Sequence, residues 1–557
     1  MNVLIIVPRN PISGDHADFN YLFPTSLGFI SAALKAKGHF VQGLNLNHFE
    51  GSVEMLVGNA LLDYKSDVVC TGGLSTAYRT VARIVEAVRS VSSAKVILGG
   101  GLISSEPELM CRTLQPDYEV IGEGDETIQE LVQAMECGFD VSKVAGIGYI
   151  RDGRFNLTLP RPPIEDLDAL PWQDLGSLDY TTYLDRLKPT SLSFFDMHDR
   201  PRVYPVISSR SCPYSCTFCF HPIGKKYRQR SVKSLMDELA MMVPRHQINI
   251  VAIYDELFSH DTARLFEFCD AFQKLRDRTK WEINWVCQLR VHPLDEKTVV
   301  KMRESGCRVV SLGFESYSPV VLQSMKKHIT PGQIDKAVDL MMKHNISIQG
   351  NFIFGDKAET PDTVRITLDY WKQRHDAGIS LGYIAPYPGT ELYSHCLERG
   401  IIKDRLDFIA NRLFEPINMS EMTDGEWGRV QAGVAVAEMQ YYITAIPHSV
   451  KPEGYGTFSV GVECPHCGSD INYGNFGLPF KFLFRFFVYC RKCRRRFYML
   501  SKSYWLAMKL MEWATSNLPT AVNAKLFGVL GRARAWAAAR ISSGRFNLGK
   551  IRKLVQT

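Results

Sequence analysis

Short apolar runs, each followed by a turn and then by apolar positions at helical spacing, recur along the first 140 residues. Strands are predicted at 3–7, 39–45, 67–70, 95–98 and 117–121, and helices at 26–37, 78–91 and 126–135. Wholly apolar strands alternating with amphipathic helices predict a doubly wound parallel α/β sheet of the flavodoxin or Rossmann kind. Such sheets bind ligands beyond the carboxyl ends of their strands. Those ends, at 8–21, 71–76, 99–104 and 122–126, carry Gly72, Ser75, Gly99, Gly100, Gly122, Glu123 and Gly124. Glycine there lets backbone approach a ligand closely.

Pro160, Pro162, Pro163 and Pro171 punctuate 141–200, which reads as a linker. The strand–helix alternation resumes over 201–400, with strands predicted at 203–208, 249–254, 282–286, 309–314, 347–354 and 379–385. Six such units make a partial (β/α)6 barrel of the TIM type, with chemistry expected at the carboxyl ends of its strands. Residues 401–455 read as helical. A small module at 456–500 and a basic amphipathic tail at 501–557 complete the chain, with tail helices predicted at 504–513 and 525–540.

Length implies about three units. The 45% hydrophobic and 22% charged composition is that of a soluble globular protein. The net charge of +6 is uneven: residues 501–557 hold ten Lys and Arg against Glu512 alone, which leaves −3 over 1–500. The core is therefore not basic, and nucleic acid is disfavoured as a partner. The tail helix either docks on the protein's own core or makes a peripheral contact with an anionic membrane. No secretory signal and no run of 18 apolar residues is found, so a reducing, cytoplasmic location is expected.

The 14 cysteines cluster, which points to metal rather than disulfides. Cys212, Cys216 and Cys219 lie in the spacing Cys-x3-Cys-x2-Cys, and Pro213 keeps the segment out of a helix. Thiolates suit soft metals and iron–sulfur clusters, and three are one short of closing a four-iron cluster. One vertex would stay open for a ligand. Cys464, Cys467, Cys490 and Cys493 form two Cys-x2-Cys knuckles, the arrangement of a zinc ribbon, with a second iron–sulfur cluster as the alternative.

The triad spacing resembles that of the radical S-adenosylmethionine (SAM) enzymes. The resemblance implies a [4Fe-4S] cluster whose fourth iron is chelated by SAM, which an electron splits to a 5′-deoxyadenosyl radical. An electron donor of flavodoxin or ferredoxin type is implied with it. Phe218 resembles the aromatic residue near the adenine. Asp255 and Glu256 stand where relatives grip the SAM amino group, although the usual glycines are missing. Glu315 and Ser316 match a Gly-x-Glu-Ser pattern directed at the SAM ribose. Asn351 ends the fifth barrel strand, and Tyr383 opens a segment similar to Pro-x-Pro-Gly-Thr-x-Leu-Tyr. Arg290 and His292 follow the third strand and could face the pocket.

Pro24-x-x-Leu27-Gly28, Gly99-Gly100-Gly101 and 122–126 together look like the cobalamin-binding domain of cobalamin-dependent radical SAM proteins. The Asp-x-His-x-x-Gly motif that supplies a cobalt ligand elsewhere is absent. His16 and His48 read as surface residues, which implies cobalt held without a protein histidine. The resemblance implies methyl transfer to an unactivated carbon of a small molecule, lipid or natural product. Radical oxidation or ring closure, as in anaerobic porphyrin cyclases, is the alternative. An RNA methylthiotransferase would need an N-terminal cysteine triad, but Cys70, Cys111 and Cys137 fall on a strand and two helices. A cluster or cobalamin protein without catalysis is the remaining class.

Overall fold

The computed structural model describes residues 1–291, 294–478, 482–517 and 522. His292 and the predicted helix 525–540 lie outside the described residues.

The first sheet runs β1 (Asn2–Val7), β2 (Phe40–Asn45), β3 (Val68–Gly72), β4 (Lys95–Gly99), β5 (Tyr118–Val120), β6 (Ile147–Arg151) and β7 (Arg154–Leu157), in the order β2-β1-β3-β4-β5-β6-β7. Its first five strands are parallel. Five of the six β1 residues are buried, as a central strand covered by helices on both faces demands. The last two strands are antiparallel and come from the segment expected to be a linker. Their turn is Asp152-Gly153, both at positive φ (52° and 75°), the conformation a tight two-residue hairpin requires.

The second sheet contains β8 (Val203–Val206), and a two-residue ladder of β9 (Ser209–Arg210) with β10 (Arg228–Gln229) follows it in the chain. The sheet continues through β11 (Ile250–Ile253), β12 (Asn284–Leu289), β13 (Cys307–Glu315), β14 (Ser347–Phe354) and β15 (Ser380–Tyr383). Its six strands lie in the order β15-β14-β13-β12-β11-β8, all parallel, which is an open partial barrel. One apolar core runs from β1 through Tyr180 and Tyr183 into the barrel strands, so the two sheets share a buried interior.

The C-terminal ribbon begins earlier than expected. β16 (Thr444–Ala445) and β17 (Ser449–Gly454) precede β18 (Thr457–Glu463), β19 (Asp470–Gly477), β20 (Arg485–Tyr489) and β21 (Arg496–Leu500). It seats on the amino ends of the barrel strands. The Ser347 hydroxyl donates to the Arg494 carbonyl, and Arg496 donates to Gly378 O at 2.9 Å. Asp196 accepts from Tyr489 N at 2.5 Å. A C-terminal helix, Lys502–Asn517, packs beside the helix Asp424–Tyr441.

Candidate functional site

The cysteine triad sits on a loop that leaves the carboxyl end of β8 and returns through β10, so the β9–β10 ladder closes its base. Ser211, at φ 71°, turns the chain into the loop. Its crown is stitched to two distant segments: Thr217 N donates to Met325 O and Leu392 N to Thr217 O, both at 3.1 Å. Cys216 is buried, Cys212 half-buried and Cys219 exposed. Among the described residues, one set of His, Cys and carboxylate ligand atoms lies within 4.8 Å of one another, and it is the C-terminal quartet. The three triad sulfurs do not all lie within that distance of one another, although Cys216 and Cys219 are close enough to interact. Three thiolates on one loop can hold a four-iron cluster, which supplies its own iron–sulfur core between them. The Thr217 hydroxyl, within the loop, is buried without a hydrogen bond. Residues and spacing fit a four-iron cluster.

Two cations converge behind the loop. Lys327 is buried and pairs with Glu315 at 2.7 Å, while Arg290 lies 3.5 Å over the Tyr214 ring and donates to the Lys327 carbonyl. The neighbouring Cys219 thiol draws Cys216 down to about 6, with Lys327 and Arg290 adding to the effect. A Cβ on Gly313 would meet the Glu315 carboxylate and the Lys327 ammonium, so a side chain there would displace the pair. Glu315 itself has φ 63°, held by an irregular register between β13 and β14.

Between the carboxyl ends of the two sheets lies a cavity of about 390 Å³, within the range of ligand pockets. Its floor is Gly72, Gly73, Gly99, Gly100 and Gly101, and its roof includes Ser209–Ser211 and Tyr254–Glu256. The floor glycines touch one another: a Cβ on Gly72 would overlap the Gly99 carbonyl, and one on Gly100 would stand 2.8 Å from Gly73 O. Glycine is needed there so that the strand ends and the turns after them can pack backbone against backbone, which leaves the floor without side chains from these positions. No histidine is among the described lining residues. His16 pairs with Glu50 at 2.9 Å, and His48 hydrogen-bonds Tyr21 and Asp179, both away from the cavity.

The structure brings Gly72, Gly99, Gly100, Gly122, Glu123, Gly124, Asp255 and Glu256 to the cavity. Asp255 accepts from Ser208 N (2.7 Å) and Ser208 Oγ (2.5 Å), tying β11 to β8, and burial pushes it up to about 6. Glu256 is exposed and pairs with His221 at 3.3 Å. Phe218 lies under the Lys327 ammonium at 5.8 Å. Other predicted residues turn elsewhere. Ser316 is spent on Thr367 and Ser318 N, and Tyr383 stands edge-on to Trp427 with its hydroxyl donating to Gln431 O. Asn351 is exposed on β14, and Ser75 is buried at the start of a short 3-10 turn; neither lines the cavity. Cys70 and Cys111 are buried in separate elements, with thiols pushed up to about 12 by burial.

A charge network missed in the sequence crosses the cavity's edge. Arg210 forms a two-pronged pair with Asp125 (2.8 and 3.0 Å), and Arg228 pairs with Glu123 at 2.6 Å. All four side chains are nearly inaccessible. The ladder under the cysteine loop is thus bolted to the Gly122–Asp125 turn of the first sheet.

In the ribbon, Cys464–Cys493 and Cys467–Cys490 sulfurs are each 3.8 Å apart. Sulfurs about 2.3 Å from one tetrahedral ion stand about 3.8 Å from each other. His466, Lys492 and Cys493 amides donate to the knuckle sulfurs at 3.3–3.4 Å, which stabilises thiolates. The quartet's spacing fits one tetrahedrally held ion.

Comparison with known proteins agrees with this geometry. Residues 206–370 match the Radical SAM superfamily model and residues 20–132 the B12 binding domain model. An uncharacterised methyltransferase of Pyrococcus horikoshii is 30% identical over 60% of this chain and 69% of its own length. The anaerobic magnesium-protoporphyrin IX monomethyl ester cyclase of Rubrivivax gelatinosus is 26% identical over 76% of this chain and 74% of its own. The radical SAM methyltransferase TsrM of Kitasatospora setae shares the fold at a TM-score of 0.60 and 19% identity, covering 72% of this chain and 77% of that one. The chain belongs to the radical SAM superfamily, in the group whose members carry a B12-binding domain. Its cofactors are a [4Fe-4S] cluster, SAM and cobalamin.

Proposed function

We propose that this protein is a cobalamin-dependent methyltransferase that acts on an unactivated carbon of a small-molecule or lipid substrate. The observation that carries the reading is the glycine-floored cavity closed on its far side by the segment leading into the cysteine loop. One face belongs to the B12-binding fold and the other to the radical SAM fold. When bound, the cluster and SAM supply a radical for hydrogen abstraction and cobalamin supplies a methyl group. The chain's own work is positional. Cys212, Cys216 and Cys219 would hold the cluster. Lys327 and Arg290 offset its negative charge, and Glu315 keeps Lys327 oriented. The glycine floor would receive a corrin face directly, which supports cobalt without a histidine from below. The Arg210–Asp125 and Arg228–Glu123 pairs hold the two faces in register. A small ferredoxin or flavodoxin is the proposed electron donor, and zinc the proposed ribbon ion.

The Rubrivivax relative, aligned over more of this chain than the Pyrococcus one, favours radical oxidation or ring closure as the second reading. Anaerobic turnover with SAM, cobalamin and a reductant, on candidate substrates, separates the two. Methylation is expected to give S-adenosylhomocysteine and 5′-deoxyadenosine together. 5′-Deoxyadenosine without S-adenosylhomocysteine would select oxidation, and neither product would refute both.

A further inference from the structure

The ribbon has two chemically different ends. Register pairs Glu463 with Asp470 beside one cysteine knuckle and Tyr489 with Arg496 beside the other, so the four cysteines lie at one end. At the opposite end Thr457 pairs with Gly477 and Arg485 with Leu500. There the Gly454-Tyr455-Gly456 hairpin tip, residues 482–484 and the start of the C-terminal helix come together. Ser501 and Phe484 exchange hydrogen bonds at 3.0 and 3.2 Å, which fixes that segment against the helix.

This end is apolar and faces solvent. Tyr455 is fully exposed, Phe482 is 74% exposed and Leu483 51%. On the helix, Leu506, Leu510 (67%) and Trp513 (70%) recur at i, i+4 and i+7 and form an outward stripe. Exposed aromatic and large aliphatic side chains gathered at one end are not what a solvated rim shows. Cations accompany them: Lys502 is exposed on the helix, and the sequence of residues 518–557 contains eight Lys and Arg with no acid. Nearby acids are engaged, Glu453 with Asn475 N at 2.7 Å and Glu512 with Lys509 at 2.7 Å. Among the described residues no helix is long and apolar enough to cross a membrane.

We propose that the ribbon end remote from its cysteines, together with the outer face of the helix Lys502–Asn517, seats on an anionic membrane surface. The aromatic and aliphatic side chains enter the headgroup layer, and the positive charge of residues 518–557 adds attraction to the anionic lipid. Opposite charge favours this occupant over a second copy of the chain, whose matching face would carry the same cations. The metal acts here as a pedestal: it fixes the strands whose far ends present the tips.

The test is sedimentation of the full-length, cofactor-loaded protein with vesicles of phosphatidylcholine plus phosphatidylglycerol, against phosphatidylcholine alone. Binding to the anionic vesicles is expected, weakened by salt, and reduced about tenfold or more in the triple variant Phe482→Ser, Leu510→Ser, Trp513→Ser. Iron content, ribbon metal and 5′-deoxyadenosine formation should match the unaltered protein. As a check independent of that variant's folding, brominated lipids should quench tryptophan fluorescence less in Trp513→Phe. Protein left in the supernatant, or a triple variant that binds like the parent, would overturn the proposal. So would loss, in that variant, of affinity for a polyribonucleotide or of a dimer in place of lipid binding.

Discussion

Two cysteine sites in one chain show how the same ligand type is set to opposite tasks. The triad is unequally exposed and held on a loop at the carboxyl ends of barrel strands, beside a cavity. The quartet is tight, on two knuckles braced by N–H···S bonds, at the amino ends of the same sheet. Eight residues of β14 separate those two ends, roughly 25 Å at 3.3 Å per residue. Closure makes the quartet a folding device, since every coordination position is filled by protein. Incompleteness makes the triad reactive, because the missing ligand must come from elsewhere. Conservation of geometry at the amino ends of barrel strands serves stability, and polar variety at the carboxyl ends serves chemistry.

The sharpest way to break this comparison is to remove one sulfur from each site. Cys216→Ala should abolish iron and sulfide binding and all 5′-deoxyadenosine formation, with the ribbon metal unchanged by elemental analysis. Cys493→Ser should do the reverse. The ribbon metal is lost, residues 449–500 become sensitive to protease, and the cluster's absorbance persists. A shared loss in either variant would show that the sites are not independent.

Smaller effects test the surroundings. Lys327→Met leaves Glu315 as a buried, unpaired carboxylate and should cost about 3–5 kcal/mol in denaturant unfolding; adding Glu315→Leu should recover most of it. Arg210→Ala should cost about 1–3 kcal/mol. Its coupling to Asp125→Ala in a double-mutant cycle would measure the bolt between the two folds. The pH test falls on the ribbon's seat. Burial pushes Asp196 from 3.8 up to about 7. The folded state therefore binds the proton more tightly, so stability falls as pH rises from about 4 to about 7, by at most about 1.4 kcal/mol per pH unit. Asp196→Asn should flatten that slope, read as unfolding midpoint against pH.

What could be read along the chain was what depends on near neighbours. The parallel strands announced themselves by unbroken apolar runs, the cavity floor by glycines at strand ends, and both metal sites by cysteine spacing. The hairpin of β6 and β7 was legible too, through Asp152-Gly153 between short alternating strands, but the prolines downstream masked it. The buried pairs Arg210–Asp125 and Arg228–Glu123 were not legible. Their partners stand 85 or more residues apart, and an arginine on a solvated rim is written with the same letter. Ser316 hydrogen-bonds Thr367 and Tyr383 stands edge-on to Trp427, contacts that the sequence did not reveal because neither neighbour is near in the chain.

Residue order alone therefore settled which groups could ligate metal and which backbone stretches could approach a ligand, because ligand chemistry and steric freedom are properties of single residues and short spacings. Folding in three dimensions chose which thiols gather 3.8 Å apart, which charges are buried in pairs, and which apolar side chains stay in water. Those outcomes turn on distance and dielectric, and both are created when remote segments exclude water from each other.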